Sequence, residues 1–237
     1  MKEGISILIA AYNAQDYIEE CLTSIQNQTY FKDHKNYEII IGIDSCESTL
    51  NKVKEIKDNY SNLRVFYMHK NKGAYITHNT LLDKVSYDYI LKFDADDIML
   101  PNMIEVLKKI TSYDIIRFMC KKYYTATNTT DREIPKYPDG TLMMRHNVIE
   151  KSGGYMPWYM AADTEFLHRV KDHFKILYLN EILFLRRIHN ESLCANLNTN
   201  FNSGNRQHYK EMIKMYDRIP NRPLFIDRVI NENYEEI

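Results

Sequence analysis

Apolar runs at residues 5–12, 37–44, 63–68 and 87–93 alternate with segments whose apolar residues recur at helical spacing, and this alternation constrains the chain more than any other feature. Strand and helix in turn are the pattern of βαβ units around a mainly parallel sheet. The second run, YEIIIGID, is almost wholly apolar, as a strand covered on both faces must be. Tyr17, Ile18, Cys21, Leu22 and Ile25 predict a helix over 16–26, and Leu50, Val53 and Ile56 one over 50–57. Further helices are expected over 73–85 and over 101–110, where Pro101 fits a first turn.

The second half is less regular. A strand over 113–123 leads to a polar stretch, and Pro138-Asp139-Gly140 is a turn signal. A short helix over 147–151 should stop at Gly153-Gly154. A stronger helix over 164–173 carries Phe166, Leu167 and Val170, and 176–188 reads as one or two strands. The expectation is an α/β chain with one domain at 1–190, in halves 1–110 and 111–190, and a helical tail at 191–237 packed on or over it.

Composition narrows the function classes. With 237 residues, 44% of them hydrophobic, the chain can bury about 70% of its surface without disulfide or metal staples. Lys and Arg number 31 against 32 Asp and Glu, a balance that argues against nucleic acid or an anionic membrane as a general partner. Cys21, Cys46, Cys120 and Cys194 form no Cys-x-x-Cys pair, so they read as reduced thiols rather than a zinc or dithiol site. No signal-peptide pattern and no apolar run near 18 residues occurs, so the expectation is a cytoplasmic protein without a membrane span.

In an open parallel sheet, ligands bind beyond the carboxyl ends of the strands. Tyr12-Asn13, Asp44 and Asp94-Ala95-Asp96-Asp97 all fall there. The first turn, Ala10-Ala11-Tyr12-Asn13-Ala14-Gln15, has no glycine, which disfavours a dinucleotide site, and a P-loop is absent. If the chain is still extended at Asp94 and Asp96, their carboxylates project from one side toward a hard cation such as Mg²⁺ or Mn²⁺, with the small Ala95 pointing into the sheet. Alternatively, Asp97 marks an acidic helix start before Pro101.

The segments ISILIAAYNAQDYIEECLTSIQNQ, YEIIIGIDS and NKGAYITHNTLLDKVSYDYILKFDADD resemble the nucleotide-sugar-binding half of family-2 glycosyltransferases of the GT-A fold, a Rossmann-like αβα sandwich. GGYMPWYMAADTEFLHRV and RRIH extend the resemblance more weakly into the acceptor side. It implies that Ala11, Tyr12 and Asn13 line the base pocket and that Asp44 hydrogen-bonds the base. Lys72 and Gly73 belong to the donor loop, Asp94 and Ala95 to the ribose or metal side. Asp96 would coordinate the cation that bridges the donor diphosphate. Arg187 would lie near that diphosphate, and His189 would reach phosphate or metal.

Asp163 matches the general base of the family, although Ala162 replaces the usual preceding glutamate and Asp163 also suits an ordinary helix N-cap. Thr77-His78-Asn79 stands where Ala-Arg-Asn is usual, with His78 a candidate substitute for the lost cation. The implied activity is metal-dependent, inverting transfer of one hexosyl or N-acetylhexosaminyl group. The donor is a nucleoside-diphosphate sugar, UDP-sugars foremost, and the acceptor hydroxyl belongs to a glycan, a lipid-linked molecule or a protein. No Gln-x-x-Arg-Trp sequence occurs, which favours non-processive transfer. A sugar nucleotidyltransferase and a binding module that has lost catalysis are the alternatives. The aromatic stretch 155–159 suits either a sugar platform or packing beneath a loop, and the polar tail after Asn190 suits a lid over the donor.

Overall fold

The computed structural model describes residues 1–131, 136–189 and 203–237. In chain order the elements are β1 (Lys2–Ala11), α1 (Ile18–Gln26), β2 (Tyr37–Asp44), α2 (Glu47–Ile56), β3 (Leu63–Met68), α3 (Ala74–Leu82) and β4 (Tyr87–Asp94). They continue with β5 (Ile98–Met99), α4 (Met103–Lys108), β6 (Ile115–Tyr124), β7 (Thr129–Thr130), β8 (Leu142–Arg145), α5 (His146–Ser152) and α6 (Ala162–Val170). The last are β9 (Ile176–Ile188), α7 (Gly204–Tyr216) and β10 (Tyr234–Glu236).

The described strands form one sheet in the order β10-β3-β2-β1-β4-β8-β6-β9-β5, with β7 paired to β6. Pairs β3-β2, β2-β1, β1-β4 and β6-β9 are parallel and contain most of the residue pairings. The period-2 alternation of side chains divides the core between two faces. Ile5, Ile7 and Ile9 of β1 pack with Ile18, Leu22, Val53 and Leu107, so α1, α2 and α4 cover one face. Leu8, Ile40 and Ile90 pack with Leu81, Ile149 and Phe166, so α3, α5 and α6 cover the other. Because both faces are covered, the central strands are apolar at nearly every position.

The long apolar strands and amphipathic helices lie where the sequence predicts them, with ends shifted by a few residues. The short strands β5, β7, β8 and β10 lack enough residues to show a period. β9 is one strand of 13 residues whose pairing with β6 slips around Met119. In α3, six consecutive residues from Thr77 to Leu82 are buried, so the helix has no polar face and its 3.6-residue pattern is faint. Gly153 stops α5 as predicted: its φ is +81°, and a Cβ there would stand 1.9 Å from the Ile226 carbonyl oxygen.

The polar tail of the sequence makes specific contacts after Ser203. Trp158 packs on Tyr209 and Tyr216 of α7 at ring-centroid distances of 5.2 and 6.1 Å, and β10 adds an antiparallel edge strand to β3. Residues 190–202, with Asn190, Cys194 and the beginning of the tail read as a lid, lie outside the described residues. Cys21, Cys46 and Cys120 are free and buried.

A buried ion pair ties these parts together. Arg169 donates to Glu165 at 2.9 Å and to the carbonyls of Ser152, Leu224 and Gly154 at 2.7, 2.7 and 2.5 Å. Removing one member of such a pair strands its partners without water. Arg169→Met is expected to cost about 3 kcal/mol of stability, measured by urea unfolding.

Candidate active site

The order β3-β2-β1-β4 reverses the direction of winding between β1 and β4, and a crevice opens beyond the carboxyl ends of such a pair. β1 ends at buried Ala11, followed by Tyr12, which is 55% exposed. Asn13 takes a left-handed φ of 51°, which its short polar side chain tolerates, and its N–H donates to Cys46 Sγ at 3.3 Å. Burial raises the Cys46 thiol, but hydrogen bonds with Ser48, Thr49 and Asn13 outweigh it and leave the thiol below its usual range.

Asp44 closes β2 almost fully buried. Its carboxylate accepts the backbone N–H groups of Lys72 at 3.0 Å and Gly73 at 2.8 Å, while Asn71 donates to its carbonyl at 3.2 Å. Burial pushes the Asp44 carboxyl up, and the two amides pull it partly back. Each carboxylate oxygen retains acceptor capacity for a further donor. Gly73, at φ +90°, forms the turn into α3.

β4 ends at Asp94, and the chain then turns, with the Asp97 N–H approaching the Asp94 carbonyl at 3.3 Å. The extended backbone expected through Asp96 is therefore absent. Asp94 pairs with Lys92 Nζ at 3.0 Å, whereas Asp96 Oδ2 lies 3.0 Å from His189 Nε2. Ala95 is buried in the core on the α1 side, as its size suggests. Asp97 caps no helix: its Oδ1 accepts the Arg187 N–H at 2.9 Å, and Asn102 is the cap residue of α4. Burial, then the charges of Asp96 and Asp94, push the Asp97 carboxyl well up.

Arg187 is buried and its guanidinium is committed to protein. Nε donates to the Asp96 carbonyl at 2.7 Å, Nη1 to Thr125 Oγ1 at 3.1 Å and Nη2 to Glu20 at 2.5 Å. Its charge also lies over the rings of Tyr17 and Tyr123 at 5.0 and 5.2 Å. The structure thus sets Arg187 beneath the acidic turn rather than leaving its donors open to a diphosphate. Tyr17 additionally packs on His189, ring centroids 4.6 Å apart.

Asp96 and His189 are candidates to hold a cation. A carboxylate oxygen and an imidazole nitrogen at one point suit Mn²⁺ or Mg²⁺ when water and phosphate oxygens complete the shell, and the imidazole inclines the pair toward Mn²⁺. His189 Nδ1 is buried without a partner among the described residues, so the ring orientation rests on Asp96 and Tyr17. No group of three or more candidate ligands converges among the described residues.

Asp163 is the second residue of α6, not its cap. The cap position is Ala161, held at φ 62°, an uncommon conformation for a residue with a Cβ. Asp163 Oδ1 accepts the Thr164 N–H at 2.8 Å, and the Thr164 hydroxyl donates to Asp139 Oδ2 at 2.8 Å. Asp139 in turn pairs with Arg117 at 2.5 Å, which fixes the 138–140 turn against α6. A Cβ on Gly140 would stand 3.3 Å from Asp163 Oδ2, 3.7 Å from Lys92 Nζ and 3.8 Å from Asp94 Oδ2. Carboxylate oxygens of Asp163 and Asp94 and the Lys92 ammonium therefore all lie within 4 Å of that position. Burial, then the charge of Asp163 and a hydrogen bond to it, push the Tyr75 phenol well up.

The structure divides the aromatic stretch. Tyr155 is buried and its hydroxyl has no partner among the described residues, Trp158 holds α7, and Tyr159 is 57% exposed beside Gly73. His78 supplies no cation: it is buried, and burial followed by the charge of Lys92 pushes its pKa well below the usual range. Sequence reading gave Tyr17 and Gly140 only structural places, in a helix and a turn, and passed over Lys92 and Tyr75. The available signal was Lys92, a lone charge in an apolar strand two residues before the acidic cluster.

Solved structures define the class to which this fold belongs. Similar are S. aureus TarS 1-349 in complex with UDP, at TM-score 0.66 and 17% identity over 90% of this chain and 69% of that one, and the mannosyltransferase PcManGT from Pyrobaculum calidifontis in complex with GDP-Man and Mn²⁺. The latter has TM-score 0.63 and 15% identity over 81% and 59% of the two chains. The architecture is the GT-A type of α/β fold. The family described as "Glycosyl transferase family 2" matches residues 6–171, and the chain belongs to it.

Relatives with recorded names include the chondroitin synthase of Pasteurella multocida, 26% identical over 98% of this chain and 24% of that protein. Another is the UDP-Glc:alpha-D-GlcNAc-diphosphoundecaprenol beta-1,3-glucosyltransferase WfgD of Escherichia coli, 31% identical over 53% of this chain and 48% of that protein. The chain spans less than half the length of these relatives. No helix among the described residues is long and apolar enough to cross a membrane.

Proposed function

We propose that this chain is a metal-dependent, inverting glycosyltransferase that moves one sugar from a nucleoside-diphosphate sugar, a UDP-sugar foremost, to an acceptor hydroxyl. The observation that carries this reading is that carboxylate oxygens of Asp163 and Asp94 both lie near Gly140, 3.3 and 3.8 Å from its Cβ position. Asp163 is the general base: it takes the proton of the acceptor hydroxyl as that oxygen attacks the anomeric carbon. The bond from that carbon to the diphosphate breaks, its electron pair leaves with the diphosphate, and attack from the opposite face inverts the centre.

The donor lies across the carboxyl ends of β1, β2 and β4. Ala11, Tyr12 and Asn13 form the base wall, and Asp44 has acceptor capacity for a base N–H beside Lys72 and Gly73. Asp94 faces the ribose and sugar, with Ala95 packed in the core behind it. Asp96 and His189 hold the cation, which when bound neutralises charge on the leaving diphosphate. Arg187 acts from beneath, fixing the Asp96 backbone.

A thermal-shift panel of UDP, GDP, CDP, dTDP and ADP with and without Mn²⁺ tests the donor site, because binding to the folded state alone raises its stability. The expected result is a Mn²⁺-dependent shift selective for UDP. A shift with none of the five would overturn the donor site. NMR of the product linkage tests inversion, and a retained anomeric configuration would overturn it.

A further inference from the structure

One buried charge takes no part in the proton or metal chemistry. Lys92 lies between Leu91 and Phe93 in β4, 5% exposed, on the strand face shared by Ile90 and Asp94. Burying an ammonium is costly unless its partners are well placed. Lys92 Nζ donates to Asp94 Oδ1 at 3.0 Å and to the Gly140 carbonyl at 2.7 Å. These acceptors come from different segments: Asp94 ends β4, and Gly140 lies in the turn packed against Asp163. The Gly140 Cβ position, 3.7 Å from Lys92 Nζ, is also within 4 Å of carboxylate oxygens of Asp163 and Asp94. Carboxylate oxygens of Asp163 and Asp94 and this ammonium thus share the space around Gly140.

We infer that Lys92 is the positioning residue that couples the two halves of the site. It keeps Asp94 out of the coordination shell of the cation at Asp96 and His189, and it holds the Gly140 turn against Asp163. The inference rests on the donor and base roles proposed above. Removing the ammonium leaves more negative potential at Asp96, so a divalent cation binds more tightly. The released turn also lets Asp163 drift from the acceptor, which slows chemistry more than it weakens donor binding.

Lys92→Met, similar in length but uncharged, and Lys92→Arg make the comparison. Mn²⁺ binding in the presence of UDP is titrated by electron paramagnetic resonance, and UDP release from UDP-GlcNAc and UDP-glucose is followed with water as acceptor. Lys92→Met should bind Mn²⁺ about tenfold more tightly. Its kcat should fall about 100-fold while donor KM stays within about threefold. Lys92→Arg should restore the wild-type Mn²⁺ affinity and part of kcat. A merely structural lysine would lower Tm without tightening Mn²⁺. An unchanged Mn²⁺ affinity in a Lys92→Met protein that still binds UDP overturns the inference, whereas a wild type that binds neither Mn²⁺ nor UDP overturns the donor site on which it rests. If Lys92→Met does not fold, Lys92→Gln carries the same comparison.

Discussion

Asp163→Asn should lower kcat about 1,000-fold, within the range that a general base contributes, and leave the Mn²⁺- and UDP-dependent thermal shift unchanged. The amide preserves shape and the hydrogen bond from the Thr164 N–H, so the α6 start keeps its geometry. What it lacks is the capacity to take a proton. Separating the two readouts matters because Asp163 sits two residues after the strained Ala161, where a mere folding defect would lower both together. Near-normal turnover by a well-folded Asp163→Asn protein would remove this residue from the mechanism.

Asp96→Ala should weaken Mn²⁺-dependent UDP binding by about 100-fold and abolish measurable transfer. The carboxylate supplies one of two candidate protein ligands and is also the partner of His189 at 3.0 Å. Its loss therefore removes a ligand and unfixes the imidazole, whose other nitrogen is already without a partner among the described residues. His189→Ala should produce a smaller loss of the same kind. Metal-dependent UDP binding that survives Asp96→Ala would move the cation elsewhere in the crevice.

The sheet was legible because its central strands are buried on both faces and carry unbroken apolar runs. The acidic turn was legible as a candidate site because ligands of such sheets bind beyond strand ends, and Asp94 and Asp96 follow one. Their orientation was not: the turn after Asp94 sends one carboxylate to Lys92 and the other to His189, and pattern reading assumed an extended chain. The resemblance placed Arg187 near the diphosphate, and the contacts to Glu20 and Thr125 that the structure gives it could not be foreseen, because those partners are distant in sequence. Gly140 read as a turn residue and nothing more. Its importance lies in the clearance it leaves to Asp163, a tertiary property that no local pattern carries.

The ring of contacts around the acidic turn joins residues far apart along the chain: Glu20 to Arg187 and Asp96 to His189 close loops of 167 and 93 residues. Loop-closure entropy must be overcome before such contacts yield any stabilisation, so they belong to the late steps of folding. The parallel strands near the amino terminus close shorter loops and can associate first. A chain arrested between these stages would have a nearly complete core but no paired Asp96. Acquisition of cation-dependent nucleotide binding during refolding would then trail the recovery of secondary structure, so ligand binding is a stricter measure of native structure than circular dichroism.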